Sequence, residues 1–330
     1  MSEMTRRKFA AATLGGVAGI AATPVRAVAQ TSGSAKAFRY VHLDVFTDRR
    51  LQGNQLLVYT EPAGLDADAM LTLTRESNFS ENTFVFPAEQ AGTNYRVRIF
   101  TRTAEAPFAG HPTIGTAFAL AHTGALKPGT SRTTFQLGVG PTPLDLEWKD
   151  GKLAFAWMTQ QKPTFGKTLT DAASLAAAIG VEPAAIDTRA PAQEVYSGST
   201  FFIVALTTRK AVDAAALDRA KLDAVFNAAG LQRRGIYAFT TERGQDDATA
   251  YSRLLSAGGI EDPATGSAAG PAGCFIAKNR LLDGPIVFLQ GVLVRRPSRL
   301  HVRVDGVGDA VAGVKVGGAA AVVGEGTMAV

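Results

Sequence analysis

The segment Gly110-His111-Pro112-Thr113-Ile114-Gly115-Thr116-Ala117 has a counterpart much later in the chain, Glu261-Asp262-Pro263-Ala264-Thr265-Gly266-Ser267-Ala268. From the second position on, both read polar residue, proline, two variable positions, glycine, hydroxyl residue, alanine. Each runs into an apolar stretch of small residues (Phe118, Ala119, Leu120; Ala272, Cys274, Phe275, Ile276). A hydroxyl residue before such a stretch is a helix N-cap signal, so helices are expected to start at Thr116 and Ser267. Charge-free helix interiors imply burial. A buried helix start leaves backbone N–H groups that attract an anion. Two such starts, one bearing His111 and the other Asp262, point to two lobes facing one small acidic ligand.

The flanks repeat as well. Tyr95-Arg96-Val97-Arg98-Ile99-Phe100 precedes the first loop and Tyr251-Ser252-Arg253-Leu254-Leu255 the second. Phe135-Gln136-Leu137-Gly138-Val139 follows one, and Phe288-Leu289-Gln290-Gly291-Val292 the other. Strand, loop, buried helix and strand recur in the same order, which favours an internal duplication over shared turn chemistry.

The front of the chain belongs to targeting rather than to the fold. Thr5-Arg6-Arg7-Lys8-Phe9 is a twin-arginine pattern, residues 10–24 carry no charge, and Ala27-Val28-Ala29 offers a cleavage site before Gln30. The apolar run is shorter than the roughly 20 residues that span a bilayer. Export of folded protein to the periplasm is therefore expected. Of the 34 basic and 29 acidic residues, the leader holds four (Arg6, Arg7, Lys8, Arg26) and one (Glu3), which leaves a mature net charge of +2. No basic block remains to suggest nucleic-acid binding, and stable membrane insertion is not expected. Cys274 is the single cysteine, so no internal disulfide can form, and its place in a buried helix suits a small apolar residue.

Strands are expected over residues 38–46, 56–59, 83–86, 95–101, 153–158, 201–206 and 236–240, with period-two segments in the tail from His301. Helices are expected over 66–77, 172–179 and 212–229. Many short strands with a few buried helices read as α+β. The lobes are placed at 36–158 and 164–318, with the extreme C-terminal strand, about 319–330, joining the first.

Four separated blocks make the chain resemble the PhzF-like phenazine-biosynthesis isomerases. They are Asp44-Val45-Phe46 with Gly53-Asn54; Asn78-Phe79-Ser80-Glu81-Asn82-Thr83-Phe84-Val85; Glu105-Ala106-Pro107-Phe108-Ala109-Gly110-His111-Pro112; and Glu261-Asp262-Pro263-Ala264-Thr265-Gly266-Ser267-Ala268-Ala269-Gly270-Pro271. Leu289-Gln290-Gly291 and Arg296-Pro297-Ser298 extend the match. The resemblance implies a diaminopimelate epimerase-like fold: two similar lobes, each a curled, barrel-like β-sheet around a central helix, with the site between them. It also implies that Glu81 moves a proton, while His111, Asp262 and Ser267 line the substrate and assist. Related epimerases carry a cysteine in each of the two loops, and here His111 and Asp262 are expected in those places. Two departures stand out. Gly53-Asn54-Gln55 replaces the Gly-Asn-Pro common in the family, and an export signal is at odds with a cytoplasmic phenazine pathway.

The chemistry implied is intelligible on its own. Shifting a double bond beside a carboxylate needs one proton removed and one delivered, which a single carboxyl of raised pKa can do. Helix starts at Thr116 and Ser267 would hold the substrate carboxylate. Gly110 and Gly266 would allow close backbone approach, and Ser80 would add a polar contact. The four histidines lack metal-ligand spacing, so no metal is expected. No Gly-x-Gly-x-x-Gly follows a strand, so no nicotinamide or flavin cofactor is expected. A Ser267–His111–Asp262 hydrolase lacks the Gly-x-Ser-x-Gly elbow. The expectation is a cofactor-independent isomerase of a small cyclic carboxylate, working as a homodimer. A racemase or epimerase of an amino or hydroxy acid and a non-catalytic periplasmic binding protein are the alternatives.

Overall fold

A computed structural model describes residues 36–330 apart from 233 and 256–260. The expected twin-arginine leader and cleavage site therefore lie outside the described residues. The first half runs β1 (Ala37–Val45), β2 (Asn54–Tyr59), α1 (Ala67–Ser77), β3 (Glu81–Pro87), β4 (Tyr95–Thr101), β5 (Glu105–Ala106), α2 (Gly110–His122), β6 (Arg132–Leu137), β7 (Gly140–Lys149) and β8 (Lys152–Thr159). The second runs β9 (Thr164–Leu169), α3 (Ala172–Ala178), β10 (Ala192–Tyr196), β11 (Thr200–Ala205), α4 (Arg209–Ala214), α5 (Arg219–Ala228), β12 (Gly235–Thr240), β13 (Ala250–Leu255), α6 (Gly266–Asn279), β14 (Ile286–Gln290), β15 (Ser298–Asp305), β16 (Gly313–Gly318) and β17 (Ala320–Ala329).

The pairings repeat strand for strand. In the first half β1–β2 is antiparallel, β2–β3 parallel across α1, β3–β4 antiparallel and β4–β6 parallel across α2; β6–β7 and β7–β8 are antiparallel. The second half gives the same series. β10–β11 is antiparallel, β11–β12 parallel across α4 and α5, β12–β13 antiparallel and β13–β14 parallel across α6, with β14–β15 and β15–β16 antiparallel. Even the residues of the sequence echo meet, Tyr95 with Phe135 and Tyr251 with Leu289. The halves are joined by β16 on β8 and by β17, which returns to lie on β1. The result is a mixed α+β chain with one large curled sheet.

Each half has an inner and an outer helix layer. Both α2 and α6 are buried along most of their length, which explains their lack of charge. Inside α2, a Cβ on Gly115 would stand 2.5 Å from Leu56 Cδ2 and 2.8 Å from Val45 Cγ2. That glycine lets the helix sit down on the sheet, and it is not a turn residue. The outer helix α1 is amphipathic. Asp66 caps it by accepting from the Ala69 N–H at 2.8 Å, left-handed Asn78 ends it, and Met70 and Leu73 face Tyr59, Phe84 and Phe100.

Several sequence expectations need correction. The inner helices begin earlier than the hydroxyl signals suggested: Ala109 is the N-cap of α2, and Thr265 that of α6. Proline lacks only an N–H that the first helical turn leaves unused, so Pro112 lies inside the helix start rather than ahead of it. Thr116 consequently sits in the second turn, fully buried, donating to the Pro112 carbonyl at 2.7 Å and meeting Thr83 Oγ1 at 2.9 Å. It packs between α2 and β3. The true counterpart of Gly266 is Gly110, not Gly115, which makes Ser267 the equivalent of His111 and Ala106 that of Asp262. His111 and Asp262 therefore do not occupy matching places in the two loops. The helix expected over 212–229 is two helices, because Asp218 caps a new start by accepting from the Lys221 N–H at 3.1 Å.

Candidate active site

The starts of the two inner helices touch. A Cβ on Gly110 would lie 2.5 Å from both Cα and the carbonyl carbon of Gly266, and one on Gly266 would lie 3.1 Å from Gly110 Cα. Only glycine at both positions permits this approach. Neither helix has a side-chain N-cap hydrogen bond, so first-turn N–H groups of two helices converge without capping partners. They open on a cleft of about 330 Å³ lined from both halves, with Ser80, Glu81 and His111 on one side and Asp262, Gly266 and Ser267 on the other. Three other hollows are larger, at about 490, 620 and 400 Å³, but none is lined by a buried carboxylate.

Glu81 opens β3 and turns its carboxyl inward, with the side chain 21% exposed and Oε2 buried without a hydrogen-bond partner. Burial raises its pKa well above the ordinary carboxylate range, and the charge of Asp262 adds to the rise, while Ser80 and Arg102 oppose it. His111, the second residue of α2, places Nε2 3.8 Å from Glu81 Oε2, and this nitrogen is also buried and unpartnered. Burial depresses the imidazole to about 3. At neutral pH the contact is thus no ion pair, since burial disfavours both charges. A carboxyl of raised pKa and a neutral imidazole face each other through Glu81 Oε2 and His111 Nε2, both without a hydrogen-bond partner.

Asp262 is held from three sides. Asn54, at the start of β2, donates from Nδ2 to Asp262 Oδ1 at 2.6 Å and to the Ala264 carbonyl at 3.0 Å. The same nitrogen is 3.1 Å from His111 Nδ1. Thr265 donates to Asp262 Oδ2 at 2.7 Å, and Gln290 Nε2 donates to the Asp262 carbonyl at 2.9 Å. Gln290 is itself fully buried, accepting from the Thr265 N–H and from Tyr237 at 3.1 Å each. Burial raises the Asp262 pKa, and the hydrogen bonds from Thr265 and Asn54 partly offset this. Neighbouring Glu261 is drawn away by Arg253, its oxygens 2.8–3.2 Å from the guanidinium. Only Asp262 of the acidic pair faces the cleft.

The Gly53-Asn54 turn is clamped to the second half by Arg296. Its Nε donates to the Gly53 carbonyl at 2.7 Å, and Nη2 donates to the Gln52 carbonyl at 2.8 Å and to fully buried Asp44. Gly53 has φ +67°, and a Cβ there would strike the Val45 carbonyl at 2.4 Å. Gln55 in place of proline leaves that turn formed.

The structure brings together Ser80, Glu81, Gly110, His111, Asp262, Gly266 and Ser267, and leaves Thr116 out. Sequence reasoning assigned no site role to Asn54 or Gln290, although both lie in the quoted landmarks. It also missed Arg102 and Phe201, which stand in no motif, and Leu254, quoted only as part of a repeated strand; all three line the cleft. Among the described residues no group of three or more His, Cys, Asp or Glu is placed to hold a metal ion. Cys274 is buried in α6 with its thiol pushed up to about 12, in keeping with a packing residue.

Fold and cleft together put the chain among the isomerases built on two such repeats. It belongs to the phenazine biosynthesis-like protein family, whose model matches residues 43–326. It is 36% identical over 297 residues to the trans-2,3-dihydro-3-hydroxyanthranilate isomerase of Pseudomonas aeruginosa, covering 87% of this chain and 98% of that protein. A solved structure of a predicted epimerase from the same organism superposes with a TM-score of 0.72 at 30% identity, over 88% of this chain and 99% of that one. The Bacillus anthracis PhzF-family protein shares the fold, with a TM-score of 0.78 at 24% identity over 89% and 100% of the two chains.

Proposed function

We propose that this isomerase acts without a cofactor on a small cyclic carboxylate, moving one proton through Glu81. The observation that carries the reading is the Glu81 carboxyl itself, which is buried, raised in pKa and unpartnered at Oε2, and which opens on the cleft. In its ionised form it takes a proton from a ring carbon next to a double bond. The electron pair moves across the allylic system, and the protonated carboxyl returns the proton at the far carbon. No atom is gained or lost, and Glu81 ends as it began. A pKa near the working pH suits a group that must both accept and give.

The substrate carboxylate rests on the uncapped starts of α2 and α6, each contributing roughly 0.3–1 kcal/mol, up to ~2 when buried. Ser267, matching His111 in the second half, and Ser80 add polar contacts. The named substrate of the Pseudomonas relative, a hydroxylated cyclic amino acid, has the required class of structure. The twin-arginine leader supports action in the periplasm, on a substrate available there, and a homodimeric assembly completes the proposal.

Incubating the purified protein with trans-2,3-dihydro-3-hydroxyanthranilate in D₂O and following proton NMR tests the reading. Loss of the substrate vinyl pattern with deuterium entering one ring carbon supports it. An unchanged spectrum in both this compound and a panel of cyclic carboxylates would count against it.

A further inference from the structure

Arg102 follows the end of β4 and is the one arginine or lysine lining the cleft among the described residues. Among the described residues its only side-chain hydrogen bonds are long ones from Nη1 to Asn78, 3.3 Å to Oδ1 and 3.5 Å to the carbonyl. No described carboxylate lies within ion-pair distance of it. Other arginines of the fold pair with acids, as in Arg98–Glu105, Arg253–Glu261 and Arg296–Asp44, or are spent on backbone carbonyls, as are Arg50 and Arg75. Of the cleft carboxyls, Glu81 feels the Arg102 charge but forms no ion pair with it. Asp262 is engaged by Asn54 and Thr265, and Glu81 opens on the cleft with one oxygen buried.

Depth separates this cation from the helix starts. Gly110 and Gly266 are buried at the floor, whereas Arg102 is half-buried and adjacent Thr103 exposed at the rim. Half-buried Phe201 and Leu254 of the second half supply an apolar wall to the same space. A guanidinium fork with no carboxylate partner, at the mouth of a site whose floor already suits an anion, is a receptor for a second planar anion. We infer that Arg102 is a specificity residue, and that the natural substrate is a small ring bearing two acidic groups, one at the helix starts and one at Arg102. This rests on the proposed reading only for the placement of the first carboxylate.

Calorimetric binding of benzoate, phthalate, isophthalate and terephthalate to the purified protein tests it without a known substrate. At least one dicarboxylate is expected to bind about 10–100-fold tighter than benzoate, the effect of one charge-assisted hydrogen-bonded pair. In Arg102→Gln that ratio should collapse toward one, and Arg102→Lys, which keeps the charge without the fork, should retain part of it. Equal affinities in the wild type, or a preference that survives Arg102→Gln, overturns the inference and leaves the isomerase reading standing. A uniform loss for all four ligands in Arg102→Gln assigns the arginine to general attraction and overturns it as well. Failure of all four, benzoate included, removes the carboxylate floor along with it.

Discussion

Asn54 Nδ2 lies 2.6 Å from Asp262 Oδ1, so one side-chain amide of the first repeat holds the acidic residue of the second. The amide has two hydrogens, and Asp262, the Ala264 carbonyl and His111 Nδ1 all lie within 3.1 Å of it. Two of the three are satisfied at a time, which couples the orientation of Asp262 to the hydrogen bonding of His111.

Asn54→Ala should therefore cost about 1–3 kcal/mol in stability, the penalty for stranding a buried acceptor. Urea unfolding should show a lower midpoint with an unchanged slope. Because the Asn54 bond lowers the Asp262 pKa, its loss should also move the acid limb of the pH–rate profile upward. A purely structural role would leave the profile in place.

Glu81→Gln should lose at least ~10²–10⁴ in rate, together with solvent deuterium exchange, while keeping the fold. The sign of its stability effect follows from the raised pKa. Between the ordinary ~4.3 of glutamate and its higher folded value, the native state binds more protons than the unfolded chain, so wild-type stability falls as pH rises. The variant lacks this cost, and its melting-temperature advantage should widen from pH 5 to pH 9. A constant difference would show that Glu81 ionises freely.

His111, depressed to about 3, acts in the opposite direction. Its contribution is present above the unfolded value of ~6.5 and is lost as pH falls toward 3. Nitrogen NMR of the imidazole should report a neutral ring at pH 5, and His111→Gln should be less acid-labile over that window. An imidazolium signal at pH 6 would contradict the assignment.

Gly110→Ala should separate the two helix starts, since the new methyl cannot coexist with the Gly266 backbone at 2.5 Å. A loss of about 1–3 kcal/mol is expected from the enforced shift. Carboxylate affinity should fall with it, as measured by calorimetry, whereas Gly92→Ala, whose Cβ would meet nothing within 4 Å, should leave affinity unchanged.

The proposed leader has a test of its own. Arg6→Lys with Arg7→Lys should leave a folded, active precursor in the cytoplasm and none in the periplasm, read by fractionation and activity. Mature protein starting at Gln30 outside the cytoplasm would assign export to another signal.

Two repeats, two buried helices and a loop at the start of each were legible in the sequence because they follow from local rules. Apolar periodicity marks strands, missing charge marks burial, and Gly–Pro–hydroxyl clusters mark helix starts. The family blocks named Glu81, His111, Asp262 and Ser267 for the same reason, since each block is a short contiguous run. Register was another matter. Whether Gly110 or Gly115 answers to Gly266 depends on which glycine meets its partner's backbone and which packs on Leu56, and both read alike along the chain. Thr116 looked like a cap and turned out to be packing for the same cause. The pKa shifts, the unpartnered atoms of Glu81 and His111, the clamp of Arg296 on the Gly53-Asn54 turn and the uncommitted charge of Arg102 join residues far apart in sequence. Burial and distance create those properties, and only the folded chain brings a β2 asparagine to an aspartate of the other repeat, or leaves an arginine at a cleft without an ion-pair partner among the described residues.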